Sequence, residues 1–565
     1  MSPDDAEVLS YPGTLPPASH DLQLITALRE DLAEAGFSNE GVAEVLGAEP
    51  VAALDRDQLV AGQLRIQQLL DEDSLPRQQY ACAVLTGLWL VSADVTGDQL
   101  TRALPRTGAH GLQQLNLADV LATGTDDGGR VIPRADLRPY QVETRSGEAD
   151  LWISSDLAAH QLAGALPHDH VLGVGGASLT LASATHRRTV KTALDLGTGC
   201  GIQLVHLLDH AEHVVGTDIS ERALEFARFN LLLNAPALRL DPEALEERVE
   251  LLHGSLLEPV AGRRFDLVVS NPPFVITPRS AEDEDQRYIY RDGGREGDSL
   301  MAELIAGLPE VLNPGGTAQM LGNWEIKVND SAASGGEQPS TDQSGADQPT
   351  ADQADAWENR PRSWVQQAGL HAWVIQRDRQ SPAQYAEIWL RDAAEERDQQ
   401  QYQQRYADYL RDFASRQVGG VGFGLLWLQK PETPDAALWL RFEEITGDVQ
   451  QPLGPAIGRT VERALAAQHS SEQILEQSLT VAEDVTEERY QRFGAEHPEV
   501  IIARQGSGLR RARPVSSAAA GFLGAADGEF SAAQLIPAVC SLTGTEEDAL
   551  AAEVLDLYID GFLSA

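Results

Sequence analysis

Three short stretches of this sequence hold residue types that can do chemistry in concert. In the first, Asp195-Leu196-Gly197-Thr198-Gly199-Cys200-Gly201 closes a predicted strand and opens a predicted helix. That sets its glycines at the C-terminal edge of a parallel sheet, where such folds bind ligands. Glycine lets the chain turn sharply and bring its backbone against a ligand with no Cβ in the way, and a helix N-terminus attracts a carboxylate or phosphate. The spacing is not that of a dinucleotide fingerprint, and alone it also suits a plain strand-to-helix turn. In the second, HVVGTDIS puts Asp218 at the end of the next strand, about twenty residues on, where a carboxylate can accept two ribose hydroxyls. Capping the following helix is the other reading of an aspartate there, although Ser220 is better spaced for it. In the third, FDLVVSNPPF sets Asn271, Pro272, Pro273 and Phe274 just past a further strand, on the same sheet edge.

These residues need a scaffold to bring them together. From about Asp150, strand patterns alternate with helical ones, the signature of an α/β domain with a mostly parallel sheet. TALDLG, HVVGTD, VELLH and FDLVVS read as four strands, with ERALEFARFNLLLN as an intervening helix. GGTAQMLGNW, HAWVIQ and AQYAEIWL read as later strands that complete a domain over residues 149–392. Within it, residues 329–356 carry six acidic residues, no basic ones and almost nothing to bury, the composition of a disordered insertion. Residues 1–148 read as a mostly helical accessory domain, in which Leu22, Ile25, Leu28 and Leu32 share one helix face. RVIPRADLRPYQVET then alternates like strand material, so a winged-helix type of domain is expected. Residues 393–565 read as an α+β C-terminal domain, with strands in GFGLLWLQ and ALWLRFEEI and helix starts at Ser531 and Thr545. Thr545 opens a capping-box pattern, and this end too suggests a winged helix.

The bulk composition narrows the class of function. A chain of 565 residues exceeds one ordinary core and favours roughly three or four domains. Its 86 acidic and 43 basic residues give a net charge of −43, a field that repels nucleic acid without excluding it. Lys191, Lys327 and Lys430 are the only lysines, so arginine carries nearly all the positive charge. No stretch approaches the ~18 uninterrupted apolar residues of a membrane span. The opening MSPDDAEVLS has neither the positive start nor the apolar run of a secretory signal, so a cytoplasmic location is expected. Cys82, Cys200 and Cys540 are far apart and show no ligand-like spacing, so neither a disulfide framework nor a metal site is expected.

Taken in order, the glycine loop, Asp218 and the Asn-Pro-Pro-Phe stretch resemble class I S-adenosylmethionine-dependent methyltransferases of the "small domain" group. That group contains release-factor glutamine N5-methyltransferases and ribosomal RNA guanine N2-methyltransferases. The resemblance covers roughly residues 170 to 392 and implies a Rossmann-like, seven-stranded core with S-adenosyl-L-methionine as cofactor. It implies cofactor contacts from Asp195, Gly197, Thr198, Gly199, Gly201, Asp218 and Asn271. Ser255 takes part of the implied adenine contact, with a backbone N–H providing the rest, because His253-Gly254-Ser255-Leu256 has no acidic residue where relatives often carry one. Asn271, Pro272 and Phe274 are the implied catalytic residues. A planar amide or exocyclic amine is a poor nucleophile, since its lone pair is delocalised, and must be held in line with the methyl group. The Asn271 side-chain carbonyl and the Pro272 main-chain carbonyl can accept its two N–H bonds, and Phe274 can stack on it. The prolines stiffen this loop before substrate arrives. Pro273, Phe274, Gly293 and Gly294 are the implied substrate contacts, and Thr180 is a further possible contact on the segment before the first strand.

The expected activity is methyl transfer to a planar nitrogen of a macromolecule, either a translation-related protein or RNA or DNA. The competing reading is a non-catalytic cofactor-binding or assembly module. The pairs Arg187-Arg188 and Arg263-Arg264 and the cluster Arg510-Arg511-Arg513 are candidate phosphate contacts, with surface charge as the plainer reading. Cys200 reads as a packing residue, since no histidine is placed in sequence to activate it.

Overall fold

The computed structural model of the chain describes residues 15–72, 74–122, 128–158, 161, 166–278, 295–328, 357–392 and 399–565. The proposed insertion 329–356, Gly293 and Gly294 lie outside these. Among the described residues, no helix is long and apolar enough to cross a membrane.

The strand patterns read from the sequence form one sheet, whose members we number β1 (Val190–Leu196), β2 (Ala211–Asp218), β3 (Val249–His253), β4 (Phe265–Ser270), β5 (Leu312–Lys327), β6 (His371–Gln380), β7 (Val418–Gln429) and β8 (Leu440–Glu444). Their order across the sheet is β8-β6-β7-β5-β4-β1-β2-β3. Strands β1 to β5 run parallel, β7 is antiparallel to β5 and β6, and β8 is parallel to β6. The central strands are apolar on both faces, as a sheet covered by helices requires: Leu194, Val215, Val268 and Ala318 are fully buried. This is the expected α/β class, with a helical N-terminal region and an α+β C-terminal region, and the sheet carries an eighth strand.

Three local expectations are corrected. AQYAEIWL is not a strand but part of the helix Pro382–Asp392. Ser381 and Gln384 cap it reciprocally, the Ser381 N–H donating to the Gln384 carbonyl (3.0 Å) and the Gln384 N–H to the Ser381 hydroxyl (3.3 Å). With Pro382 in the first turn, this start signal outweighs the apolar run behind it. The boundary expected at residue 392 also fails, because GFGLLWLQ lies in β7 between β5 and β6, and β8 follows at the sheet's edge. The sheet therefore runs to Glu444. Finally, Ser531 forms its capping box with Gln534, but the last helix starts one residue beyond Thr545, at a Glu546 N-cap with no side-chain hydrogen bond.

The N-terminal region packs Leu22–Glu34 through its buried Ile25, Leu28 and Leu32 against a set of short helices around Arg77–Trp89, which is buried from Tyr80 to Trp89. A three-stranded sheet, Val95–Thr96, Arg130–Pro133 and Ala118–Leu121, completes it. The hairpin Asp136–Thr144/Gly147–Ser155 then leads to the main sheet. Two asparagines one turn apart, Asn230 in the helix Glu221–Leu233 and Asn234 at its C-cap, dock this hairpin as a neighbouring strand would. Asn230 accepts the Ser154 N–H (2.8 Å) and donates to the Ser154 and Cys200 carbonyls (both 2.9 Å). Asn234 accepts the Trp152 N–H (2.9 Å) and donates to the Trp152 carbonyl (2.7 Å). Both side chains are buried, so no water replaces these bonds when they are lost. Asn230→Ala is expected to cost about 2–4 kcal/mol of unfolding free energy and to open residues 147–155 to proteolysis. Denaturant titration and limited digestion read both effects, and wild-type behaviour in each refutes the docking role.

Candidate active site

The three motifs converge at the C-terminal ends of β1, β2 and β4. Between β1 and the helix Ile202–Leu207, Gly197 (φ 77°), Gly199 (φ 55°) and Gly201 (φ 93°) all take left-handed backbone conformations that residues with a Cβ adopt only under strain. The loop is anchored to β2, since the N–H groups of Gly197 and Thr198 both donate to the Thr217 carbonyl (2.9 Å each). Asp218 closes the joint. One of its oxygens accepts the Gly199 N–H (2.8 Å) and the other the Ser220 N–H (2.8 Å). A carboxylate oxygen can accept more than one hydrogen bond, so Asp218 retains acceptor capacity suited to a diol. Capping of the next helix falls to Ser220, whose hydroxyl accepts the Ala223 N–H (3.2 Å). Burial pushes the Asp218 carboxyl up, against the main-chain N–H groups of Ser220, Gly199 and Ile219 that hold it down.

A cleft of about 370 Å³ opens above these strand ends. Gly197, Thr198, Gly199, Asp218, Ser255, Asn271, Pro272 and Pro273 all line it, so most of the expected site residues share one wall. Gly201 and Asp195 do not. Gly201 lies behind the loop, where an added Cβ would meet Ala227 at 3.3 Å. Asp195 is 1% exposed beneath the loop, and neither of its carboxylate oxygens has a partner among the described residues. The Thr198 hydroxyl turns instead to the Asp195 main-chain carbonyl (3.1 Å). Burial pushes the Asp195 carboxyl up to about 7, with Asp218 nearby adding to the effect. Cys200 is buried as well, and its thiol is pushed up to about 12, which fits packing and not nucleophilic attack.

The Asn-Pro-Pro-Phe loop leaves β4 through Ser270, whose hydroxyl donates to the Leu196 carbonyl (2.8 Å) and joins the third motif to the first. The Pro272 carbonyl accepts the Phe274 N–H (2.8 Å), which leaves it one lone pair for a second donor. Phe274 does not face the main cleft. It borders a small adjoining recess with Pro273, Arg295, Leu300 and Asn323, of which Pro273, Arg295 and Leu300 also line the cleft. The loop is held from behind by Asn323, which donates to the Phe274 carbonyl (2.8 Å), and by Tyr385, whose hydroxyl accepts the Ile276 N–H (2.7 Å).

Other cleft residues carry no motif. Asp169 to Gly173 form a strap over the opening, and Ser178 faces it where Thr180 was expected; the Thr180 hydroxyl bonds its own helix at the Gly176 carbonyl. The strap is fastened by Asp156, which accepts the Val171 N–H (2.7 Å) and pairs through both oxygens with Arg222. Arg222 lies four residues past Asp218, so the second strand–helix unit positions both the floor and the roof. The arginine clusters are largely spent inside the molecule. Arg511 pairs with Glu443 and Asp560, Arg513 with Asp556 and Asp560, and Arg263 with Glu250. Arg187, Arg188 and Arg264 donate to main-chain carbonyls.

Residues 172–333 match the family model described as methyltransferase small domain, and residues 34–128 match one described as a domain of unknown function. A release factor glutamine methyltransferase of Geobacter sulfurreducens is 37% identical over 131 residues, 22% of this chain and 42% of that protein. A ribosomal protein uL3 glutamine methyltransferase of Bradyrhizobium diazoefficiens is 32% identical over 137 residues, 23% of this chain and 40% of that protein. The chain thus spans about two fifths of the length of these relatives. Among solved structures, the Thermus thermophilus 16S rRNA N2 G1207 methyltransferase covers 45% of this chain and 67% of its own, at 16% identity and a TM-score of 0.22.

The buried Asp195 generates a stability prediction. Its carboxyl ionises at ordinary low pH in the unfolded chain but holds its proton to about pH 7 when folded, so it costs stability progressively as pH rises through that window. Relative to wild type, Asp195→Asn is expected to gain roughly 3 kcal/mol between pH 4.5 and pH 8 in the ligand-free protein. Denaturant unfolding of both proteins across pH checks this, and parallel curves refute it.

Proposed function

We propose that this chain, whose residues 172–333 carry the methyltransferase small domain, is an S-adenosylmethionine-dependent methyltransferase that modifies the planar amide nitrogen of a protein acting in translation. The observation that carries the reading is the Asn271-Pro272-Pro273-Phe274 loop at the end of β4, on the rim of the cleft whose floor is the glycine loop and Asp218. Asn271 brings a carbonyl and Pro272 a second one with a free lone pair, an acceptor pair matched to the two hydrogens of an NH2 group. Accepting those hydrogens draws the nitrogen lone pair out of conjugation as the bond to carbon forms. Phe274, in the adjoining recess, bounds the flat face of the amide.

The fit of the cofactor rests on residues of this chain. Asp218 presents its carboxylate to the ribose diol, and the Gly197–Gly199 backbone lies open for the amino-acid end. Asp195 supplies an orphan carboxylate beneath it, and its cost to the ligand-free fold is the kind of strain that binding sites retain. Ser255 lies on the wall where an adenine edge would rest. When bound, S-adenosylmethionine supplies an electrophilic methyl group on a sulfonium. The protein's part is to orient the acceptor nitrogen and exclude water from it.

A protein acceptor is favoured over a nucleic acid by two features. The net charge of −43 repels polyanions, and the arginine clusters able to offset it are largely committed to internal carboxylates and carbonyls. The relatives named as glutamine methyltransferases of release factors and of ribosomal protein uL3 support the same class. We assign the protein to the cytoplasm with that substrate.

Incubation with tritiated S-adenosylmethionine and fractionated cell extract tests the reading. Label is expected in protein, at an alkali-labile amide position, and label confined to RNA refutes the acceptor class. Asn271→Ala is expected to keep S-adenosylhomocysteine binding and lose about a hundredfold or more in transfer rate, whereas Asp218→Ala loses the binding itself. Undiminished transfer by Asn271→Ala rules out the acceptor pair.

A further inference from the structure

A second cavity lies at the opposite, N-terminal end of the sheet strands, between β2 and the hairpin that precedes the main sheet. It encloses about 490 Å³, within the range of small-molecule sites. Its floor is apolar and buried, formed by Val142, Leu151, Val205, Leu208 and Leu238. Arg145, Arg239 and Arg248 stand around it, from the hairpin turn, the end of the helix Ala235–Leu238 and the start of β3.

These three arginines belong to the set without a carboxylate partner among the described residues. In a chain with twice as many acidic as basic residues, arginines such as Arg106, Arg222, Arg360, Arg441, Arg511 and Arg513 pair with carboxylates. Among the described residues, no carboxylate lies within 4.0 Å of the guanidinium of Arg145, Arg239 or Arg248. They are held in place by neutral groups. Arg145 donates to the Thr189 hydroxyl (3.0 Å) and Arg239 to the Ser146 hydroxyl. Arg248 donates to the carbonyls of Leu208 (3.0 Å), Ala211 (3.2 Å) and Glu212 (2.8 Å). Glu148, Asp209 and Glu212 also reach the rim, but Asp209 is taken by the Arg145 main-chain N–H (3.1 Å).

His210, 3% exposed, also lines the cavity. Its Nδ1 faces the Arg188 carbonyl (2.9 Å) and therefore carries the proton, which makes Nε2 an acceptor. Nε2 is buried, with no hydrogen-bond partner among the described residues. Burial holds His210 down at about 4, so the ring is a neutral acceptor at physiological pH. A buried acceptor without a donor is costly unless something completes it.

We propose that this cavity binds a phosphorylated small molecule of about mononucleotide size, its phosphate at Arg145 and Arg239, with the carbonyl-bound Arg248 adding positive charge, and an N–H or O–H of its body at His210. Guanidinium forks left without carboxylates suit the oxygens of a phosphate dianion, and the apolar floor suits a flat ring. The helix Ile202–Leu207 starts at the glycine loop and runs to this cavity through Val205, so the two sites share one element. The inference does not rest on the methyltransferase reading.

Calorimetric titration of the full chain with adenosine 5′-monophosphate tests it, using wild type, Arg145→Gln/Arg239→Gln and Asp218→Ala. Saturable binding that weakens by roughly tenfold or more in the arginine variant and is unchanged in Asp218→Ala is the expected result. Both arginines are exposed, and an unchanged thermal transition confirms that the variant is folded. No binding to wild type, or binding lost in Asp218→Ala and kept in the arginine variant, overturns the proposal. The latter pattern assigns the nucleotide to the main cleft.

Discussion

The site depends on a single carboxylate. Asp218 accepts one main-chain N–H from the loop after β1 and another from the helix start after β2, one on each oxygen. It thereby fixes the separation of two neighbouring strand–helix junctions, and the left-handed glycines follow from that separation. Gly199 must turn its N–H toward Asp218 while Gly197 and Thr198 turn theirs toward Thr217. No run of residues with β-carbons makes both turns without strain. Ser270 extends the same tie to β4, so the Asn-Pro-Pro-Phe loop inherits its position from the glycine loop and not from its own prolines alone. A site joined this way is held by rigid elements before any ligand arrives, which is what a reaction limited by alignment requires.

The roof of the cleft is built differently, by joining parts of the chain that precede the match over residues 172–333 to Arg222 within it. Asp156 follows the hairpin that Asn230 and Asn234 clasp, and it holds the strap through the Val171 N–H while Arg222 neutralises it. Burying such a pair costs desolvation that the Coulomb attraction only partly returns, so its value lies in geometry more than in stability. The consequence is a coupling of domains through the cofactor roof. Displacing the hairpin releases Asp156, and with it the strap, although no residue of the glycine loop has changed.

The floor was legible in the sequence because each of its jobs admits few residue types. Left-handed turns call for glycine and a diol calls for a carboxylate at a strand end, so Gly197, Gly199, Asp218 and Asn271 declared themselves by type and spacing. The roof was not legible, since Asp156, Val171 and Arg222 act through a fold that brings together residues up to 66 apart. Asp195 was half legible: its place in the loop was evident, but its burial behind that loop depends on how the glycines turn. The far side of the sheet was misread because apolar content dominated the reading of AQYAEIWL. The Ser381, Pro382 and Gln384 start signal was present and settles the matter once weighed. Residues Val418–Gln429 were assigned to a separate domain because nothing local tells an antiparallel central strand from a strand of another sheet.

The excess of acid explains where the arginines went. At strand β8, the end of the last helix is tied in through Asp560, which sits 6% exposed between Arg441, Arg511 and Arg513. Burial alone raises the Asp560 carboxyl, yet Arg511 and Arg441 outweigh it and hold the group below its ordinary range. Lysine could not do this as well, because its compact charge is more strongly hydrated and offers no fork to share between two carboxylates. Arginine therefore serves as structural mortar at the β8 edge, at the strap and around Glu325, which pairs with Arg416 beside the acceptor loop. With a net charge of −43, the chain as a whole sets up a field that repels a polyanion. The choice of acceptor on the proposed reading then falls to the shape of the recess beside Phe274 and to Arg295, which lines both the cleft and that recess.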